Sequence, residues 1–205
     1  MAAMNDQSSV GVTAASPAPK REAILRAALQ VFAEAGVNGV AVPQIAARAG
    51  VGTGTIYRYF DSKEALVNQL FREQKQALAQ RLSAALEHRA GSRAAFAELW
   101  KRLVAFAREA PEAYRFLELQ DHRPYLDADS REIERALLAP IAARLGALQQ
   151  QGLFRADLRP EVLMTLIWGA FVQLFKAEHD GYLELCEEDI RAAGEACWSL
   201  CQPAN

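Results

Sequence analysis

Residues 42–63 constrain this chain more than any other stretch, and they read VPQIAARAGVGTGTIYRYFDSK. Apolar residues recur at helical spacing over 43–49, and Pro43 stands in the first turn, where its missing N–H breaks no helical hydrogen bond. Gly50 then ends this helix, because glycine readily adopts the left-handed conformation found just past a helix. A second short helix is predicted over 53–60. The pattern is that of a helix-turn-helix, which places its second helix in the DNA major groove.

The second short helix has an inward and an outward face when it is drawn at about 100° per residue. Ile56 and Phe60 point inward together, whereas Gly54 points the opposite way and lets the backbone approach a groove wall closely. Hydroxyl, ammonium and guanidinium groups beside it can bond phosphate oxygens or base edges. These groups belong to Thr55, Tyr57, Arg58, Tyr59 and Lys63. Two short amphipathic helices that merely pack together are the alternative, since such patterns taken alone give many false positives.

Over residues 20–66 the sequence resembles the tetracycline-repressor (TetR) family. IAARAGVGTGTIYRYFDSKEALV is similar to that family's usual IA-x-x-AGVS-x-GTLYRYF-x-SKE-x-L, and the later two-thirds is similar only in being helical and of suitable length. Ala41 departs from a usual capping Thr or Ser, which is typically worth ~1 kcal/mol, and Gly52 departs from a Ser that would contact phosphate. The resemblance implies DNA contacts from Thr53, Thr55, Tyr57, Tyr59 and Lys63.

The complete set of expected DNA contacts adds the residues at the start of the first helix, predicted over 19–35, and one in the first short helix. It comprises Lys20, Arg21, Gln44, Thr53, Gly54, Thr55, Tyr57, Arg58, Tyr59 and Lys63. Lys20 and Arg21 are equally well interpreted as solvated charges.

The charge distribution favours a nucleic-acid partner for the N-terminal part, although the whole chain has a net charge of −2. Residues 17–63 hold six basic and three acidic residues, a net +3, which leaves about −5 for the rest. A basic head on an acidic body turns the head toward phosphate. Double-stranded DNA is therefore the expected partner of this head.

The sequence predicts an all-α fold, because no convincing alternating strand is found. Residues 1–18 are expected to be a disordered tail, 19–64 a helix-turn-helix DNA-binding domain, and 65–205 a helical effector-binding and dimerisation domain. A long helix, capped by Asp61 or Ser62 and running to about residue 89, would span ~40 Å. We expect this helix to carry a conformational signal from the body to the head.

Residues 160–178 predict a dimer, because they are apolar on nearly every face and a body this small can cover only one side. The resemblance implies the same, since the last two helices of that family form a four-helix bundle across a two-fold axis. The expected interface consists of Leu163, Leu166, Ile167, Ala170, Leu174, Ala193, Cys197 and Leu200. Such a dimer would hold two recognition helices ~34 Å apart on a palindromic operator.

Aromatic residues of the body, interspersed with polar ones, predict an effector pocket. The expected lining is Trp100, Phe106, Phe116, Gln120, His122, Tyr125, Trp168, Phe171, Gln173 and Phe175. Ordinary cores have the same composition, so core packing is the alternative for each of them. His122 and Gln173 are the most informative, because polar groups in apolar surroundings need partners.

No catalytic or cofactor site is expected. The glycines at 50, 52 and 54 follow no strand, so they do not form a phosphate-binding loop. Cys197 and Cys201, four residues apart, could ligate a metal with Cys186 or His179, but buried thiols are favoured. Three cysteines without an export signal indicate free thiols in the cytoplasm, and the most apolar run, 162–175, is too short to cross a membrane.

These observations predict a homodimeric TetR-like transcriptional regulator, a repressor that a small, largely apolar effector releases from DNA. The alternative is a helical ligand-binding or protein-interaction module with a non-functional helix-turn-helix, and an enzyme is a more remote interpretation.

Overall fold

The computed structural model describes residues 17–87 and 91–203, and every regular element within them is helical. The helices are α1 (Pro17–Gly39), α2 (Val42–Ala49), α3 (Thr53–Tyr57), α4 (Lys63–Glu87), α5 (Arg93–Glu109), α6 (Pro111–Tyr114), α7 (Ala128–Gln150), α8 (Pro160–His179) and α9 (Glu187–Cys201). The prediction of an all-α fold is thereby confirmed. Of the predicted tail, residues 1–16 lie outside the described residues, and 17–18 already belong to α1.

Helices α1, α2 and α3 form the head around a shared apolar core that includes Ile24, Phe32, Ile45 and Ile56. The predicted end of the first helix at Gly36 is a kink, with φ +73°, after which a short helical stretch continues to Gly39. A side chain there would be strained, and its Cβ would lie 2.9 Å from Oε1 of Gln120 in the body. The glycine thus lets the body approach α1.

The capping hydrogen bond at the start of α2 is made by the side chain of Gln44, not by that of Ala41. Ala41 offers no side-chain acceptor, as predicted, but its backbone N–H donates to Oε1 of Gln44 at 2.7 Å. Gly50 ends the helix with φ +67°, which confirms the predicted left-handed stop. The turn between α2 and α3 is therefore fixed by local sequence.

Helix α4 joins the head to the body. Ser62, one of the two predicted caps, accepts from the backbone N–H of Ala65 at 3.1 Å. Buried Leu66 and Leu70 lie in the head-proximal half of the helix, and buried Leu78 and Leu82 lie farther along. Since α4 contacts α1, α5 and α7, a displacement in the body has a direct route to the head.

The connection between α6 and α7 contains two short turns that are not α-helical. After the four residues of α6 the chain forms a π-helical turn, Arg115–Leu119, and then a 3-10 turn, Arg123–Tyr125, which contains Pro124. π-Helical turns are rare and are frequent at functional sites. Helix α7 continues through Pro140 as a single helix.

Among the helices in the described part of the chain, none is long and apolar enough to cross a membrane.

Candidate nucleic-acid interface and effector region

Helix α3 ends at Tyr57 rather than at the predicted residue 60, but the side chains of residues 53–60 divide into an inner and an outer set, as predicted. Ile56 and Phe60 are buried in the core shared with α1 and α2, and Tyr57 is 51% exposed. Gly54 is exposed, and a Cβ built on it meets no heavy atom within 4 Å. Thr55 is half-buried beside it. The helix therefore presents a surface on which backbone, hydroxyl and aromatic ring are accessible together, and contact of this surface with DNA stays a prediction.

Two cations of the head are paired within the protein. The Arg21 guanidinium donates to Glu73 of α4 at 2.9 Å and lies 5.8 Å from the centre of the Phe60 ring. Arg48 donates to Glu34 at 2.9 Å, and this hydrogen bond holds the pKa of Glu34 below its usual value. Arg21 is thus held by the α4 carboxylate in the free protein, and its contact with phosphate stays a prediction.

The other predicted DNA contacts keep donors available. Arg58 is exposed, and neither it nor Lys20 forms an ion pair with any described residue. The Lys63 ammonium lies 5.6 Å from the centre of the Tyr125 ring, whose hydroxyl donates to Asn38 near the end of α1. Gln44 uses Oε1 to cap α2 and keeps its Nε2 group as a donor. Thr53, the first residue of α3, and Tyr59, two residues beyond its end, are both half-buried.

The predicted effector residues separate into two aromatic clusters and a polar junction. The first cluster surrounds Phe171, whose ring lies 5.3 to 6.2 Å from those of Trp100, Trp168 and Phe175. Tyr114, which sequence reasoning missed, completes it: its ring lies 5.8 Å from that of Phe171. Phe106 packs in turn on Tyr114. These rings fill the interior as core.

The second cluster surrounds His122. The imidazole lies 5.6 Å from the centre of Phe116 and 5.0 Å from that of Phe71, a residue that was not predicted. Its Nδ1 is buried, and no hydrogen-bond partner for it lies among the described residues. Burial, and then the charge of Lys75, lowers the pKa of His122 below its usual value, so the imidazole is neutral at pH 7.

The remaining predicted effector residues lie elsewhere. Gln120 directs Nε2 toward the carbonyl of Ala33 at 3.5 Å, and Tyr125 donates its hydroxyl to Asn38 at 2.6 Å, so both join the body to α1. Gln173 is exposed on α8. The prediction that Gln173 lies among apolar residues was therefore wrong: the residue stands on the outer face of that helix.

A buried asparagine, not anticipated from the sequence, organises the junction between α4 and the body. Asn68 donates Nδ2 to the carbonyls of Glu64 (2.9 Å) and Tyr125 (2.7 Å). Its Oδ1 accepts from the backbone N–H of Asp127 (2.9 Å) and from the Ser130 hydroxyl (2.7 Å). The amide is fully used, and it ties the 3-10 turn and the start of α7 to α4. The sequence feature that could have identified this junction is a single Asn within the apolar stripe of a helix.

A charged cluster inside the body was also missed. Lys75 of α4 lies 3.7 Å from Glu118 of the π-helical turn and 3.2 Å from Glu134 of α7. The indole N–H of Trp168 donates to Oε2 of Glu118 at 2.9 Å. Residues from four elements therefore converge here, which spacing along the chain could not have shown.

An open groove of about 240 Å³ lies between α5 and α9 and is lined in part by Phe96, Trp100 and Trp198. Among the described residues predicted to bind an effector, Trp100 alone lines it. A second groove of about 240 Å³ lies between α1 and α4, with Glu22, Arg26 and Glu73 at its edge. The predicted lining is thus close-packed in this state and does not enclose either groove.

Some residues of the predicted dimer interface are exposed on the surface of the subunit. Leu166 is 46% exposed, Ala170 and Leu200 are exposed, and Ile167, Leu174 and Ala193 are half-buried. Leu163 and Cys197 are buried within their own subunit, so their assignment to the interface was wrong.

The residues that α9 exposes to solvent differ from those predicted for the interface, because Gly194 on the inner side of the helix lies close to Trp100. A Cβ at Gly194 would lie 2.7 Å from Cδ1 of Trp100, so the glycine turns toward that indole and takes Cys197 inward with it. The exposed apolar stripe is Ala192, Ala196 and Leu200.

The cysteines behave as thiols. Cys197 and Cys201 are buried, and burial raises the pKa of Cys201 to about 12, whereas Cys186 is exposed. Within residues 17–87 and 91–203, no three His, Cys, Asp or Glu side chains are grouped so that they could hold a metal ion.

Comparisons with known proteins agree with this architecture. The family described as bacterial regulatory proteins, tetR family, matches residues 24–70, and the tetracyclin repressor-like C-terminal domain matches residues 71–202. The probable acrEF/envCD operon repressor of Escherichia coli K12 is 28% identical over 78% of this chain and 76% of its own length. The fatty acid metabolism regulator protein of Bacillus subtilis is 39% identical, over 35% of this chain and 37% of its own length.

A solved structure extends the likeness to three dimensions. A tetR family transcription regulator from Shewanella sp. PV-4 superimposes with a TM-score of 0.74 at 28% identity, covering 89% of this chain and 97% of that one. Head, connecting helix and helical body are therefore shared as a whole.

Proposed function

Since the chain belongs to the TetR family of bacterial regulatory proteins, and is a ligand-responsive, DNA-binding transcriptional regulator and not an enzyme, we propose that it acts as a homodimeric repressor. In this proposal a small, largely apolar effector releases it from a palindromic operator. The observation that carries the proposal is the outward face of α3, where Gly54, Tyr57 and Arg58 are accessible while Ile56 and Phe60 hold the helix in place.

The homodimer is supported by apolar surface on the last two helices. Leu166 and Ala170 on α8 lie four residues apart on one exposed face, and Ala192, Ala196 and Leu200 repeat at similar spacing on α9. Two such helices from each copy can pack as a bundle. A two-fold axis through this bundle would present two α3 helices to successive major grooves, ~34 Å apart.

Release by an effector is supported by the contacts between the body and the head. Gln120 and Tyr125 reach α1, and Asn68 ties the same segment to α4. A ligand that displaces this segment therefore acts on both helices that position the head. It shifts the balance of states only by its difference in affinity for them.

Selection from a random DNA pool, followed by binding assays on the selected site, tests the operator. Tyr57→Ala should abolish binding and leave the fold intact, because Tyr57 contributes exposed surface and no core packing. Tyr182→Ala is the matched control, since this tyrosine is 81% exposed on the connection between α8 and α9. Wild-type affinity in the Tyr57 variant would contradict the proposed docking.

Sedimentation measurements test the dimer. Leu166→Glu places a charge on the exposed face of α8 and should produce a folded monomer with weakened operator binding, because burying an unpaired carboxylate is unfavourable. Leu138→Glu changes a comparable leucine, 42% exposed on α7, and should leave the dimer unchanged. A dimer that survives the Leu166 change would place the interface elsewhere.

Distances between spin labels test the release. Ala47 is exposed on α2, so a cysteine there can be labelled after the exposed Cys186 is changed to serine. The separation of the two labels in a dimer should change when a ligand releases the protein from DNA. An unchanged separation would contradict transmission through α4.

A further inference from the structure

Glu118 is a carboxylate that the fold buries without pairing it completely. Its side chain is 9% exposed, and Oε2 accepts from the indole N–H of Trp168. Oε1 is buried, and the described residues provide no hydrogen-bond donor to it. The Lys75 ammonium is 3.7 Å away, beyond the usual 2.7–3.2 Å. A buried charged acceptor without a donor is costly, so it requires an explanation.

The groups around Glu118 carry an excess of negative charge. Lys75 lies closer to Glu134 than to Glu118, so one ammonium serves two carboxylates. Neutral His122 adds no charge, and its buried Nδ1 is a second group without a partner. Arg115, three residues before Glu118, forms no ion pair with Glu118 or Glu134, and its own buried Nε has no hydrogen-bond partner among the described residues. Within ion-pair distance, two carboxylates therefore share one ammonium group, which favours an added cation and disfavours an added anion.

The side chain of Trp168 on α8 contacts this carboxylate. The residue is half-buried, its ring packs 5.5 Å from that of Phe171, and its N–H supplies the one hydrogen bond that Glu118 accepts within the described structure. A flat ring bearing a single donor is thus bound to the carboxylate already. A ligand ring of similar size could take its place and bring a stronger donor, since charge-assisted hydrogen bonds exceed neutral ones.

We infer that Glu118 is the polar anchor of the effector site, and that the effector is a lipophilic cation whose protonated amine or amidine replaces Trp168 on the carboxylate. This inference rests on the proposed function, because it assigns a ligand class to the effector-binding body. The aromatic rings that surround the site suit the apolar part of such a ligand, and their faces attract its charge. Displacement of Trp168 also moves the π-helical turn, whose continuation holds Gln120 and Tyr125 against the head.

Calorimetric titration with three naphthalene probes of equal size tests the ligand class. They are 1-naphthylmethylamine, a cation at pH 7, 1-naphthylmethanol, which is neutral, and 1-naphthoate, an anion. The amine should bind at least tenfold more tightly than the alcohol, and the carboxylate should bind most weakly. Glu118→Gln keeps the size of the side chain and an acceptor for Trp168, and it should reduce the affinity of the amine to that of the alcohol.

Two further variants separate anchoring from general effects. Glu98→Gln removes the same charge from a surface ion pair with Arg102 and should leave the preference for the amine unchanged. Trp168→Phe removes the competing N–H and should raise the affinity of the amine several-fold, a gain that loss of structure cannot produce. Thermal unfolding of each variant verifies that it is folded.

The inference is overturned if the amine binds no more tightly than the alcohol, or fails to bind. It is also overturned if Glu118→Gln keeps the preference, or if Glu98→Gln loses it equally. Operator binding by the same samples distinguishes the two proposals. A protein that binds its selected DNA without preferring the amine retains the proposed function, whereas one that binds no DNA contradicts that function itself.

Discussion

Replacing Gly54 by alanine should separate DNA docking from folding. The position lies inside α3, its φ is outside the left-handed region, and an added Cβ meets no atom of the free protein within 4 Å. Alanine is the better helix former by about 0.5–1 kcal/mol, and the lower figure suits the second residue of a short helix. The free variant should therefore be slightly more stable, with a melting temperature about 1–2 °C higher.

The same methyl group should weaken DNA binding. It would lie between α3 and the wall of the groove, where an extra group in a close-packed contact costs about 1–3 kcal/mol. The two half-sites of a dimer double this to about 2–6 kcal/mol, which corresponds to a loss of about 30-fold or more in affinity. Stability and affinity should thus change in opposite directions.

Fluorescence anisotropy with the selected operator at fixed salt, together with thermal denaturation, measures both quantities. Ala143→Gly is the control, because this residue is exposed within α7 and far along the chain from the head. It should lower stability by a similar amount and leave DNA affinity unchanged. Wild-type affinity for Gly54→Ala would refute the argument, since it would show that the exposed face of α3 does not approach DNA at this position.

Three other predictions concern groups in the body. Asn68→Ala should lower the free energy of unfolding in urea by about 2–4 kcal/mol, because it removes this partner from part-buried backbone groups of Tyr125 and Asp127 and from the buried Ser130 hydroxyl; a loss below 1 kcal/mol would mean that these groups find other partners. Burial, and then the charge of Lys75, lowers the pKa of His122 in the folded protein. As the pH falls below ~6.5, the unfolded chain therefore binds a proton at His122 before the folded protein does, and the free energy of unfolding should decrease until the pH reaches the lowered pKa. His122→Gln should flatten this part of the stability profile, and an unchanged slope would exclude the imidazole as its source. Ellman's reagent should titrate Cys186 rapidly in the native protein and the two buried thiols after unfolding only; three rapid equivalents would be incompatible with the packing of α9.

The head was predictable because its signals are local. Pro43, Gly50 and the pairing of Ile56 with Phe60 act over a few residues, so composition and spacing suffice. Ser92 and Asp127 act in the same local way, since each caps the helix that begins at the next residue, α5 and α7 respectively.

The body was less predictable because its determinants join distant parts of the chain. The ion pair of Arg21 with Glu73 spans 52 residues, and nothing near Arg21 in the sequence indicates it. The orientation of α9 follows from Gly194 meeting Trp100, which a periodic pattern cannot specify. The assignment of Gln173 to a pocket failed for a related reason, since residue types define an apolar helix but not which side faces the core.

The internal pairing of Arg21 and Arg48 bears on how the protein searches a genome. Sequence-independent affinity grows with the number of phosphates that a protein neutralises, and these two guanidinium groups are already neutralised by carboxylates. We therefore expect the head to hold random duplex weakly and to leave it quickly. Its residence on chromosomal DNA would then be determined chiefly by the fit of α3 to one site, so that a small number of copies could keep that site occupied.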